Sequence, residues 1–175
     1  MRNAIVVILT LSLMALVGCG KQKKPTLDVD LHTAALKGNV EAIQARIDAG
    51  ADLNKRDQYG STPLIVATTF GQTEAAIALI DAGADLQVTS SDGATPLHVA
   101  AFLCREDIVA ALLEAGADKA AVNNYGSTPL QSVQGPFEQV KPFYDQLRGA
   151  LAPFGLELDY ERIEAARPRV AAMLE

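Results

Sequence analysis

The pentapeptide Gly60-Ser61-Thr62-Pro63-Leu64 returns as Gly93-Ala94-Thr95-Pro96-Leu97 and again as Gly126-Ser127-Thr128-Pro129-Leu130, each time after 33 residues. A second string keeps the same step: Ala49-Gly50-Ala51-Asp52, Ala82-Gly83-Ala84-Asp85 and Ala115-Gly116-Ala117-Asp118. Two independent markers in one register define a repeat array. A unit this short cannot bury its apolar face alone, so neighbouring units must stack and stability becomes largely an interface property. Each unit reads as turn, helix, turn, helix. Thr62, Thr95 and Thr128 stand where a hydroxyl accepts from the unpaired amides of a first turn, and each is followed by Pro at the first helical position, where its missing N–H costs nothing. Three residues on, His98 and Gln131 can bond back to the cap, whereas Ile65 cannot. Gly50, Gly83 and Gly116 end the second helices.

Period, order and the Thr-Pro-Leu-His string at 95–98 resemble the ankyrin repeat, over roughly Leu27 to Asp159. The resemblance implies an all-α solenoid of helix-turn-helix units with short hairpin-like tips, about four repeats long, closed by a C-terminal helical cap. The units are expected at 30–59, 60–92, 93–125 and 126–159, with the cap over 160–175. Leu64, Val66, Ala67, Leu97, Val99, Ala100, Ile77, Leu79, Ile80, Val109, Leu112 and Leu113 recur at inward positions and read as core. The first unit lacks the Gly-x-Thr-Pro turn, so Asp28 or Asp30 must cap its first helix. In the fourth, Gln134-Gly135-Pro136 breaks the pattern and Gly155 falls 39 residues after Gly116, an insertion of about six residues. Pro142 and Pro153 are expected to bracket a second helix through Phe143, Leu147 and Leu151. Asp159 is expected to cap a last helix that Pro168 could kink.

At the N-terminus Arg2 precedes an apolar run from Ala4 to Val17 that ends in Leu16-Val17-Gly18-Cys19. Fourteen residues are short of the roughly 20 that a spanning helix needs, and a single positive charge before a short apolar core is the export pattern. The last four residues resemble the bacterial lipobox. That resemblance implies cleavage between Gly18 and Cys19 (signal 1–18), a lipid on Cys19, and a basic tether over 19–29. Two or more acyl chains anchor stably where one binds only marginally, and Lys21, Lys23 and Lys24 can add headgroup contacts of about 1 kcal/mol each. The expected location is the bacterial envelope, on the periplasmic face of the outer membrane.

Removing residues 1–18 takes Arg2 from a chain of net charge −6, leaving −7 over 157 residues. An acidic chain with scattered basic residues lacks the clustered positive face that nucleic acid demands. Cys104 is the only thiol besides Cys19, so no disulfide framework exists. His32 and His98 occupy the same position in units two apart, which suits capping rather than a convergent metal site. No nucleophile elbow, phosphate-cradling glycine loop or metal motif occurs. No catalytic residue, cofactor, metal or small-molecule substrate is therefore expected.

Function is sought where the repeat does not dictate the residue. The turn tips are Lys55 to Tyr59, Val88 to Asp92 and Ala121 to Tyr125, and Tyr59, Asp92 and Tyr125 are candidates because Tyr offers large contact area at low entropic cost. In the ankyrin family the outer ends of the first helices face the concave groove, which makes Thr69, Phe70, Phe102 and Leu103 the second candidate group. Exposed contiguous apolar surface marks an interaction site; the competing reading folds the two Phe inward. The expectation is a monomeric, lipid-anchored module that binds another protein. Two alternatives stay open: an inhibitor or immunity protein against a toxin or hydrolase, and a stress-defence factor with chemistry in Phe137 to Glu175.

Overall fold

The computed structural model describes residues 29–175, and within them every regular element is helical. The signal segment, Gly18, Cys19 and the tether up to residue 28 lie outside the described residues. Three helix pairs follow one another: α1 (Leu31–Leu36) with α2 (Val40–Asp48), α3 (Pro63–Phe70) with α4 (Thr73–Asp81), and α5 (Pro96–Phe102) with α6 (Glu106–Glu114). First helices stack as α1, α3, α5 and second helices as α2, α4, α6, with the core running unbroken between the two columns.

The caps explain where the helices begin. Asp30 accepts from Thr33 N at 3.0 Å, Thr62 from Ile65 N at 3.3 Å and Thr95 from His98 N at 3.4 Å. His98 completes a reciprocal box, since its Nδ1 accepts from Thr95 N at 3.3 Å. The recurring Asp of the second marker is also used locally. Asp52, Asp85 and Asp118 each accept from the amide two residues on, at 2.8–2.9 Å, and fix the turn that leaves the second helix. The small Ala34, Ala42, Ala67, Ala76, Ala100 and Ala101 are fully buried between helices, where they let the columns approach closely.

The fourth unit departs from the first three. Thr128 and Gln131 form the same reciprocal box, with Gln131 N to Thr128 Oγ1 at 3.3 Å and Thr128 N to Gln131 Oε1 at 2.8 Å, yet only one turn follows. Gly135 at φ +88° and then Pro136, which has no N–H, stop it. The chain re-enters a helix at once, and α7 runs Phe137–Leu151 with Pro142 inside it. The expected bracketing of a helix by Pro142 and Pro153 is therefore corrected. Pro142 falls early in α7, where its missing amide donor withdraws just one bond, and the inward stripe is Phe137, Val140, Tyr144 and Leu147 at helical spacing. Phe143 lies off that stripe and is exposed. A short 3₁₀ turn at Ala152–Phe154 leads to α8 (Tyr160–Leu174), capped by Asp159 through Arg162 N at 3.0 Å. The helix continues through Pro168. It is α8, rather than the helix at 137–151, that packs on α6 and extends the second-helix column. The array thus closes with a one-turn remnant, an inserted helix and a terminal helix.

Candidate functional site

Three carbonyls spaced 33 residues apart, those of Leu36, Thr69 and Phe102, end the first helices, and each receives a side-chain donor from the next segment. Gln72 Nε2 donates to Leu36 O at 3.0 Å, Arg105 Nη2 to Thr69 O at 3.2 Å, and the Tyr144 hydroxyl to Phe102 O. A helix C-terminus leaves its last carbonyls unpaired, and this ladder uses them to tie units together. A second ladder runs from the histidines, with His32 Nε2 on Ser61 O at 3.1 Å and His98 Nε2 on Ser127 O at 2.9 Å. Both histidines thus join a first helix to the turn of the following unit, a role beyond the capping expected for them.

The groove candidates are consumed by this architecture to different degrees. Leu103 is 1% exposed and belongs to the core, which corrects the expectation that it lies on open surface. Phe102 is half-buried and stacks on Tyr144 with ring centroids 4.3 Å apart and planes 14° from parallel. Phe137 and Tyr160 complete the group, at 5.6 Å from Tyr144 and 6.1 Å from Phe137 respectively. Four of the nine aromatic residues in the chain therefore serve to seat α7 and α8 on the third unit. Phe70 is half-buried against the core, and the Thr69 hydroxyl donates back to Ile65 O at 2.8 Å. The inward reading of the two Phe side chains is the one the structure supports.

The middle and last turn tips are tied together, Asn124 N donating to Asp92 O at 3.0 Å, and the first and last carry exposed aromatic rings. Tyr59 is 65% exposed and Tyr125 is 78% exposed, at the same position in units two apart. Each sits on a braced turn: Asp57 Oδ1 accepts from Tyr59 N and Ser61 N at 2.8 and 2.9 Å, and Asn123 Oδ1 accepts from Tyr125 N and Ser127 N, both at 3.0 Å. The amides are held and the rings project. In the middle tip Ser90 replaces that Asp or Asn, and the acceptor comes from Asp92 instead, whose carboxylate takes the Ser90 hydroxyl and Ala94 N at 3.4 Å. Asp92 thus braces its own turn, and its side-chain oxygen is engaged locally. Val122 is exposed as well. Its signal in the sequence is an apolar residue where the other tips carry Arg56 and Thr89.

Cys104 takes the place that Gly38 and Gly71 hold in earlier units and shares their left-handed backbone, at φ +51°. It is fully buried, and burial pushes its thiol up to about 11. Such a thiol is a packing group rather than a nucleophile. The basic residues around it carry no motif of their own in the sequence. Arg105 is driven below the usual guanidinium value by burial and then by Arg162, Arg162 Nη1 donates to Cys104 O at 3.2 Å, and Arg169 clasps Glu106 at 2.8 and 3.0 Å. The signal that could have found Arg105 is its comparison with Gln72, one repeat earlier.

A family model for ankyrin repeats, in three copies, matches residues 31–123, just over half the chain. The protein belongs to the ankyrin-repeat family. The solved ankyrin-repeat domain of Bcl-3, described as a unique member of the IkappaB protein family, is similar to it with a TM-score of 0.58 and 28% sequence identity. That likeness covers 60% of this chain and 46% of the Bcl-3 structure, so the chain spans less than half the length of its solved relative. No curated protein matches the chain. Ankyrin repeats are protein-interaction modules as a class, and the stacked units described above are of that class.

Proposed function

We propose that this protein is a lipid-anchored ankyrin-repeat module of the bacterial envelope, without enzymatic activity, that holds another protein through its turn tips. The observation that carries the binding half is the pair Tyr59 and Tyr125: large, exposed, at equivalent positions, on turns whose amides are already braced. Rigid aromatic side chains on a pre-organised turn contribute contact area at small entropic cost. The outer groove is the weaker surface, because Leu103 is buried and Phe102 is covered by Tyr144. The anchoring half rests on the sequence Leu16-Val17-Gly18-Cys19 after a short apolar run. Tethering raises the effective concentration of the module towards a membrane-associated partner, so a modest contact suffices.

Recovery of partners from detergent-solubilised envelope tests the binding half. Tyr59→Ser with Tyr125→Ser is expected to abolish capture, while Phe70→Ser leaves it intact. Equal recovery by both variants would remove the tips from the reading. Metabolic labelling with a fatty-acid probe tests the anchor: label is expected on the parent chain and absent from Cys19→Ala, and label of equal strength on both would refute it.

A further inference from the structure

Between the end of α3, the start of α6 and the face of α8 lies a recess of about 300 Å³ lined by Gly71, Thr73, Arg105, Glu106, Asp107 and Arg162. Two guanidinium groups converge on it. Arg105 uses one donor on Thr69 O and Arg162 one on Cys104 O, out of five N–H groups that each possesses. Arg105 Nε is buried without a hydrogen-bond partner. Among the described residues neither group has a carboxylate within ion-pair distance, the pairs being Asp30 with His32, Asp145 with Arg148 and Glu106 with Arg169.

The repeat itself shows that the charge of Arg105 is not needed for folding. One unit earlier the neutral Gln72 makes the same bond, to Leu36 O, beside the same left-handed glycine. Both versions use the glycine in the same way: a Cβ at Gly71 would meet the Arg105 guanidinium at 2.7 Å, just as one at Gly38 would run into the Gln72 amide, so the difference between the two units is the charge alone. A guanidinium placed in partial burial, next to a second one and with an orphaned Nε, is costly unless an anion occupies the space. The carboxylates of the lining supply it only in part: Glu106 is held by both guanidinium nitrogens of Arg169 and only secondarily feels Arg162, and Asp107 is exposed. The first turn of α6, nine residues long and without a side-chain cap, adds amides that lack an intrahelical partner and the positive end of a helix dipole.

We propose that this recess binds a doubly charged tetrahedral oxyanion, a phosphate or sulfate group. Two guanidiniums match two negative charges and offer fork-shaped donor pairs to an anion with three or more free oxygens.

Inorganic phosphate titrated into the whole isotope-labelled chain in detergent, at ionic strength held constant with chloride, tests this by heteronuclear NMR. Expected are saturable shifts at the amides of Thr73, Arg105, Glu106 and Asp107 with a dissociation constant of about 1 mM, weakened about tenfold or more in Arg105→Gln. Phosphate is also expected to raise the urea midpoint of the parent chain and leave that of Arg105→Gln unmoved. Arg162→Gln is the second variant and is expected to weaken binding as well. Sulfate should compete; acetate should not. Non-saturating or scattered shifts, unchanged affinity in either variant, or acetate binding as tightly as phosphate would each overturn the proposal.

Discussion

The Tyr144 hydroxyl donates to the Phe102 carbonyl across 42 residues of chain, filling in the third unit the place that Gln72 and Arg105 fill in the first two. It also accepts from Arg167 Nη1 at 3.2 Å, and burial pushes the phenol up to about 12, so it stays a donor at any ordinary pH. Tyr144→Phe keeps the ring stacked on Phe102 but leaves a buried carbonyl and a buried guanidinium short of partners. The expected cost is about 1–3 kcal/mol, read as a lowered urea midpoint. Tyr144→Ala should cost about 3–5 kcal/mol, because the aromatic cluster that seats α7 is then hollowed out. Equal stability of Tyr144→Phe and the parent chain would show that the bond is replaced by water.

Gly83 ends α4 at φ +83°, and a Cβ built there meets no atom within 4 Å. Any penalty for a side chain is therefore conformational rather than steric crowding from neighbours. Gly83→Val is expected to destabilise by about 1–2 kcal/mol or more, since a β-branched residue tolerates the left-handed region poorly, and Gly83→Asn by clearly less. Matching losses for the two variants, measured by thermal unfolding, would mean that the turn relaxes to another backbone path.

The first three units are legible in the sequence because each repeated residue answers a local physical need, with Thr62 and Thr95 as caps, Asp52 and Asp85 as turn acceptors, and Leu64 and Leu97 as core. Repetition multiplies such local signals. The C-terminal region carries none of that redundancy. Thr128 and Gln131 make the full capping box and still no helix follows, because Gly135-Pro136 a few residues later decides the outcome. Likewise Leu103 is buried in the core while Phe70, its equivalent one unit earlier, is only half-buried, a difference that repeat position alone does not supply. In the sequence the change from Gln72 to Arg105 across one repeat is visible, but its significance emerges from the structure, where Gln72 makes the equivalent bond without charge.

Cys104 is fully buried with its thiol raised to about 11, first by desolvation. In the folded protein it is expected to resist alkylation by iodoacetamide near pH 8 and to react fully once urea has unfolded the chain, since only the thiolate attacks. Mass spectrometry of tryptic peptides checks this. Rapid native modification at residue 104 would show that the C-terminal helices open readily.

His98 links its own cap to the next unit: in the neutral form Nδ1 accepts from Thr95 N at 3.3 Å and lies 2.8 Å from Thr95 Oγ1, while Nε2 donates to Ser127 O at 2.9 Å. Protonation would put a hydrogen on Nδ1 and cancel the first bond, and burial accordingly lowers the folded-state value below the ordinary 6.5. The unfolded chain then binds a proton more readily than the folded one, so stability is complete above about pH 6.5 and falls as pH drops below it. Asp30 and Glu106, both held below their ordinary 3.8 and 4.5, lose their contributions only in more acidic solution. Urea midpoints are therefore expected to be level from about pH 8 to 7 and to decline between about 6.5 and 5. His98→Gln should flatten that decline, because Gln131 shows that a glutamine can bond back to its Thr cap without titrating. A decline of the same slope in His98→Gln would assign the pH dependence to another group.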